Sequence, residues 1–270
     1  MSSVDVLSTQ VLRHGAYLCL RPRPGADAGA LAAAPVPELV RRLGLAGEFD
    51  SPGAPHAVAF LRRHAARPGA IADDGVLDAA WVVHVASPES DRVRAFTEEA
   101  AKRLAAHADV RVLGGVVRPR DYTSGAMERW AYGRAVGQAR GEAMPNGFLI
   151  PMSKTAAWWG KGWMERHTYF LPRYDDAGRM IAEGHALAAE AGIPCIMRRT
   201  YKALEHPAPD GAYDFVTYFE CADTDVPVFE AVCAALRDVG RNPEWAFVRE
   251  GPTWHGRRVV DWPALFAPPR

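Results

Sequence analysis

The second half of the sequence holds three groups of side chains whose types could do chemistry together. They are His185, Arg198, and Lys154 with Trp158 and Trp159 in Ile150-Pro151-Met152-Ser153-Lys154-Thr155-Ala156-Ala157-Trp158-Trp159. An imidazole ligates iron, and its other nitrogen sets how strongly. A guanidinium stays charged at any working pH and holds an anion without giving up a proton. An ammonium beside two indoles grips a flat macrocycle. Together these meet the needs of one face of a haem. Each group also has a plainer reading. His185 could cap a helix or sit in the core, Arg198 could snorkel from an edge strand, and the tryptophans could form a hydrophobic seam.

The elements that position these residues are legible to different degrees. A helix from about Asp175 to Ala191 is expected, stopped by Gly192 with Pro194 beyond, which places His185 in its last turns. Its neighbours Gly184, Ala186, Ala188 and Ala189 are small and leave room for a flat ligand. A strand over Ile193–Leu204 follows, in which adjacent Arg198 and Arg199 point to opposite faces. Upstream, the strand Phe148–Ser153 leads into the Lys-Trp-Trp segment. Downstream, Asp214–Cys221 alternates, with Phe215, Thr217 and Phe219 on one face and Val216, Tyr218 and Glu220 on the other. Phe229, Val232, Cys233 and Leu236 follow helical spacing up to Gly240. Trp245–Val259 supplies a last strand with a turn or bulge at Gly251-Pro252.

The first half reads as His14–Arg21 in a strand, a short helix in Pro35–Leu45, a strand in Leu77–Ala86, a helix and a strand at Val110–Val117. That helix starts at Ser87-Pro88 and puts Val93, Phe96, Ala100 and Leu104 on one face. The Ala/Gly/Pro-rich stretch up to Asp74 carries no clear pattern. The expected fold class is α+β, with two ferredoxin-like βαββαβ halves, the first degraded, joined as a dimeric α+β barrel-type fold. The expected division is an N-terminal half at 1–122, a linker at 123–146 and a C-terminal half at 147–270 that holds the site.

Bulk properties exclude several alternatives. Lys+Arg and Asp+Glu are 32 each, so no global charge favours nucleic acid or an anionic membrane. No apolar run approaches a membrane span, and Met1–Gly15 has no signal-peptide pattern, so the chain is expected in the cytoplasm. Cys19, Cys195, Cys221 and Cys233 are scattered without a CxxC, as in a protein with free buried thiols. HExxH, a Walker loop, GxGxxG after a strand and Gly-x-Ser-x-Gly are all absent.

From Phe148 to about Val259 the chain resembles the chlorite dismutase family of haem proteins. The resemblance is carried by Pro151-Met152-Ser153-Lys154 with Trp158-Trp159, Glu183-Gly184-His185, Arg198 with Tyr201, Asp214–Glu220, and the helix Phe229–Leu236. It implies that His185 is the proximal ligand of haem b. Arg198, thirteen residues on, would be the distal arginine, and Lys154, Trp158 and Trp159, with Ile150 and Met152, would line the pocket. His167 is a rival ligand that spoils this spacing. The coproheme decarboxylase branch carries a tyrosine where this chain has Ile150, and generally lacks the distal arginine. Both differences imply oxygen transfer from chlorite or a similar small oxidant, in a homo-oligomer, pentameric by family analogy. The family's proximal glutamate aligns with Arg241, with Glu244 as a substitute if the backbone shifts, and Gly160–Arg173 reads as an insertion. These departures leave open a specialised relative acting on peroxide, nitrite or an organic N–O substrate; the alternatives beside it are coproheme decarboxylase or peroxidase activity and a non-catalytic haem carrier or sensor. From the residues alone, a haem-free barrel binding a small metabolite is a further reading.

Overall fold

Strand formation follows from period-two burial. In β1 (Arg13–Pro22), Tyr17 and Cys19 face one way and Leu18 and Leu20 the other, and all four are fully buried. A strand buried on both faces lies between two cores, here the inside of a barrel and a layer of helices outside it. The computed structural model describes residues 13–45, 57–71, 75–117, 144–204, 207–208 and 212–267. The remaining strands are β2 (Ala57–Arg67), β3 (Trp81–Ser87), β4 (Ala108–Val117), β5 (Asn146–Lys154), β6 (Arg173–Tyr174), β7 (Met180–Ala182), β8 (Met197–Lys202), β9 (Phe215–Cys221), β10 (Val248–Glu250) and β11 (Thr253–Val259).

Among the described residues, eight antiparallel strands close in the order β5-β11-β2-β3-β1-β4-β8-β9, with β9 returning to β5, and β10 adds to β5 outside the ring. Within each half the first strand lies between the third and fourth: β2-β3-β1-β4 and β8-β9-β5-β11. Both halves are thus ferredoxin-like, as expected, and the first has its full set of four strands.

Tyr17, Leu61, Val82, Leu149, Tyr201, Val216, Tyr218 and Trp254 fill the barrel. Outside the first half, the helix Ser90–Leu104 lays Val93, Phe96, Ala100 and Leu104 against β1 and β3, as its periodicity predicts. The buried Phe96 side chain alone contributes about 2–3 kcal/mol by transfer from water. Outside the second half, Phe148, Ile150 and Phe219 pack toward Phe229 and Cys233 of the helix Val226–Arg237. Among the described residues no helix is long and apolar enough to cross a membrane.

Several expected elements differ. β2 occupies the stretch without a clear pattern, because its second half, from Arg62 to Arg67, is largely exposed and breaks the alternation of the first. The helix expected over Asp175–Ala191 is instead the β6–β7 hairpin followed by a short helix, Gly184–Ala188, and a 3-10 turn, Glu190–Gly192. Asp175 accepts the Ala177 and Arg179 N–H groups, at 3.0 and 2.9 Å, and Gly178 adopts φ 75°, so Asp175–Arg179 is a turn. Gly184 at φ 67° then bars a continuous helix. His185 therefore lies at the start of its helix, not in its last turns. The strand carrying Arg198 begins at Met197, because the Ile193 and Ile196 N–H groups turn back onto Glu190 and Gly192. The last strand is split at Gly251-Pro252 into β10 and β11, and a 3-10 turn covers Pro243–Phe247. The expected linker lies outside the described residues up to Ala143, and its last residue, Asn146, opens β5.

Candidate functional site

One cleft brings together most of the residues singled out by their chemistry. Its first wall is the outer face of β5, β8 and β9, where alternation selects Ile150, Met152 and Lys154, then Arg198, Thr200 and Lys202, then Phe215, Thr217 and Phe219. The register sets Arg198 beside Phe219, Thr200 beside Thr217 and Lys202 beside Phe215. The facing wall is helical: His185, Ala189 and Ile193 from one segment, and Val232, Cys233 and Leu236 from the helix Val226–Arg237. The space between is about 1250 Å³ counted with its open mouth. Its lining is mostly apolar with a few convergent polar groups, the usual make-up of a cofactor site.

His185 is fixed from every side. Its backbone N–H donates to the Tyr169 carbonyl at 3.2 Å, and the Ala186 N–H donates to that of Phe170 at 3.2 Å. The Phe170 ring stacks on the imidazole with centroids 5.3 Å apart and planes 13° from parallel. Glu244 Oε2 lies 2.8 Å from His185 Nδ1, which assigns the proton to Nδ1 and the lone pair to Nε2. The other Glu244 oxygen accepts from Lys154 Nζ at 2.8 Å, and that ammonium sits 4.2 Å over the Trp158 ring. The three side chains are only 10%, 5% and 3% exposed. A carboxylate this buried is costly unless both oxygens are met by donors, and here both are.

The two tryptophans take different roles. Trp158 is fully buried behind the cleft, packed edge-on to Tyr169 at 5.6 Å and against Phe247 at 5.7 Å. It packs in the core and backs the Lys154 ammonium, so the adjacent tryptophans split between core and cleft. Trp159 lines the cleft, and its indole N–H donates to Asp214 Oδ2 at 3.2 Å. The same oxygen accepts the Lys154 backbone N–H at 2.6 Å, so Asp214 aligns both residues.

Adjacent Arg198 and Arg199 do split between faces. Arg198 lines the cleft, whereas Arg199 belongs to the barrel side, near Tyr17 and Glu220. His167 lies in the helix Trp163–Thr168 and is not among the residues of the cleft. Cys233 lines the cleft, but burial pushes its thiol up to about 11, so it is not a thiolate at neutral pH.

Arg241 does not occupy the proximal position that the alignment assigns it. Its guanidinium makes two 2.9 Å bonds to Glu183, and its carbonyl accepts the Glu183 and Gly184 N–H groups at 2.8 and 3.0 Å. It therefore anchors the entry to the His185 helix from outside. The Asn242 N–H closes onto the Asp238 carbonyl at 2.7 Å, and the 3-10 turn that follows swings Glu244 inward. Thr200 and Lys202 join Arg198 in the cleft through the same alternation, although neither residue type signals the site in the sequence. Arg166, which lines the cleft from the 160–173 segment, carries no local signal.

No protein-family model and no curated protein matches this sequence. Solved structures do match. A variant of chlorite dismutase from Candidatus Nitrospira defluvii superposes with a TM-score of 0.66 at 18% identity, over 94% of this chain and 94% of that one. The chain has the chlorite dismutase fold. The chlorite dismutase from the same organism in complex with imidazole gives 0.65 at 18% identity, over 94% and 93% of the two chains. A variant in complex with cyanide gives 0.64 at 18% identity, with the same coverage. The barrel thus matches the chlorite dismutases across both halves, including the first, where the resemblance in sequence is faint.

Proposed function

We propose that this protein is a haem b oxidoreductase of chlorite dismutase type, acting on chlorite or a similar small oxidant. The observation that carries the reading is the buried Lys154–Glu244–His185 chain at a cleft whose strand wall presents Arg198 across from the helical wall that carries His185. The donor set fits a haem. Among the described residues no group of three or more His, Cys, Asp or Glu could hold a metal ion, so one imidazole suits an iron already held by a porphyrin. The apolar faces of Ile150, Met152, Ile193 and Leu236 suit a flat macrocycle.

In this reading His185 Nε2 is the iron ligand, and the bound haem supplies the redox chemistry. Glu244 accepts the Nδ1 proton, holds the tautomer and makes the imidazole a stronger donor. Lys154 meets the other Glu244 oxygen in its buried place and holds that carboxylate toward the imidazole. Arg198 binds the anionic oxidant by charge and hydrogen bonds, without proton transfer. Ile150 places an aliphatic side chain in the cleft where a coproheme decarboxylase would need its tyrosine, and the proposed branch rests on that difference.

The test is reconstitution with haem b followed by chlorite at an oxygen electrode. The expected result is a Soret band that His185→Ala abolishes, with dioxygen release by the parent protein. Undiminished haem binding by His185→Ala would remove the assignment. Conversion of coproheme to protohaem with peroxide, read by mass spectrometry, would move the protein to the other branch.

A further inference from the structure

The middle of the strand wall carries two hydroxyls in apolar surroundings. The register sets Ile150 of β5 beside Thr217 of β9, and Thr217 beside Thr200 of β8. Phe215 and Phe219 flank Thr217 along its own strand, and all five residues line the cleft. Thr217 is only 3% exposed. Its Oγ1 lies 3.4 Å from that of Thr200, and among the described residues neither hydroxyl makes another hydrogen bond. Each hydroxyl carries one hydrogen, so the pair holds two and spends at most one on itself. One O–H is left over at a buried wall, where an unmet hydroxyl is destabilising. Valine has the same branched shape and suits a strand as well, without that cost. An apolar face for a flat ligand therefore does not account for two threonines.

We infer that the Thr200–Thr217 pair determines ligand specificity: one hydroxyl donates to the other, and the spare O–H donates to an acceptor atom of a small anion in the cleft. This rests on the haem reading and deepens it. His185 belongs to the helical wall, so a flat macrocycle that it ligates turns its other face to the strand wall, where the threonines lie. Thr200 follows Arg198 by two residues on the same face of β8, about 7 Å along the strand. An anion of a few atoms between them meets a charge on one side and a neutral donor on the other. Charge alone favours any anion. A hydroxyl adds a preference for atoms that accept a hydrogen bond, and near neutral pH that preference does not titrate.

The experiment titrates two ligands into the ferric protein reconstituted with haem b and reads the Soret band. Bound fluoride still accepts hydrogen bonds, whereas imidazole binds through its one acceptor nitrogen and has none left. In Thr200→Val/Thr217→Val, fluoride should bind on the order of tenfold more weakly than in the parent, as expected for one hydrogen bond to a charged acceptor. Imidazole affinity should stay near the parental value. The fluoride loss should be the same on either side of neutral pH. Thr200→Ala/Thr217→Ala, which cannot strain the wall, should show the same selective loss. Thr200→Ser/Thr217→Ser keeps both hydroxyls and should keep the parental selectivity. Parental fluoride affinity in the Val and Ala pairs, equal losses of both ligands, or a matching loss in the Ser pair would overturn the inference while leaving His185 ligation intact. If the parent gives no Soret band that depends on His185, the haem reading fails and takes the inference with it.

Discussion

Glu244 bridges His185 and Lys154 with one oxygen each, both at 2.8 Å, from a turn 59 residues beyond the first and 90 beyond the second in sequence. The exposed Arg241–Glu183 pair, three residues upstream, holds only the outside of the same structure. The two positions should respond differently to substitution. Glu244→Gln should weaken haem binding about 10–100-fold, as loss of an outer-shell partner typically does, and raise the reduction potential of the bound haem. Arg241→Gln should cost no more than about 1 kcal/mol of stability, the scale of exposed ion pairs, and leave haem affinity near the parental value. Haem titration and denaturant unfolding of both variants check this, and equal haem loss would return Arg241 to the proximal side.

Arg198 and Arg199 offer a second contrast, because adjacent strand residues serve different faces. Arg198→Gln should slow turnover of an anionic oxidant and weaken anion binding, with haem bound and thermal stability close to the parent. Arg199→Gln should do the reverse. It removes a cation from beside the buried Glu220, whose carboxyl is raised mainly by desolvation. Glu220 keeps its direct partner Arg258 and the Tyr218 hydroxyl, so the loss expected there is up to about 1 kcal/mol. Matching losses of turnover in both variants would show that the two faces are not separated in this way.

Gly184 precedes His185 in the left-handed region, and a Cβ there would collide with the Leu171 carbonyl. Gly184→Ala should therefore destabilise by at least about 1–2 kcal/mol from the backbone conformation alone, with the collision added. The imidazole is positioned by the same backbone, so haem affinity should fall even at temperatures where the variant remains folded. Gly178→Ala makes the comparison fair. Gly178 also has positive φ but has nothing near it, and it should lose stability without losing haem.

These positions show why some of the site was legible in the sequence and some was not. Strands such as β9 and the helix Ser90–Leu104 bury alternating or helically spaced residues, so pattern alone finds them. The His185 segment misleads because its alanines look helical, while Asp175, Gly178 and Gly184 impose a turn and a restart that periodicity does not register. β2 is hidden in the sequence because its second half is exposed, which leaves too short an alternation to read. Glu244 could be found only as an alternative to Arg241, since a 3-10 turn moves the inward position by three residues. Arg166 reaches the cleft through tertiary packing of the 160–173 segment, and no local spacing encodes that.

His255 makes a prediction about pH outside the cleft. It stacks on Phe148 at 4.1 Å, meets His64 edge-on at 4.7 Å and has its Nε2 3.0 Å from Asn146 Oδ1. Burial lowers its pKa from 6.5 to about 4, helped by the positive fields of His64 and Arg257 and opposed by Glu230. The folded chain thus keeps this imidazole neutral where the unfolded chain protonates it. Between pH 6.5 and 4 the unfolded state binds more protons, so stability must fall as pH drops through that window and level off above it. The half-exposed position limits the effect to on the order of 1 kcal/mol. His255→Gln keeps a donor for Asn146 but cannot titrate. The difference in melting temperature between parent and variant should therefore be constant above pH 6.5 and shift toward the variant as the pH approaches 4. A difference that stays flat across this range would mean His255 titrates alike in the folded and unfolded chains.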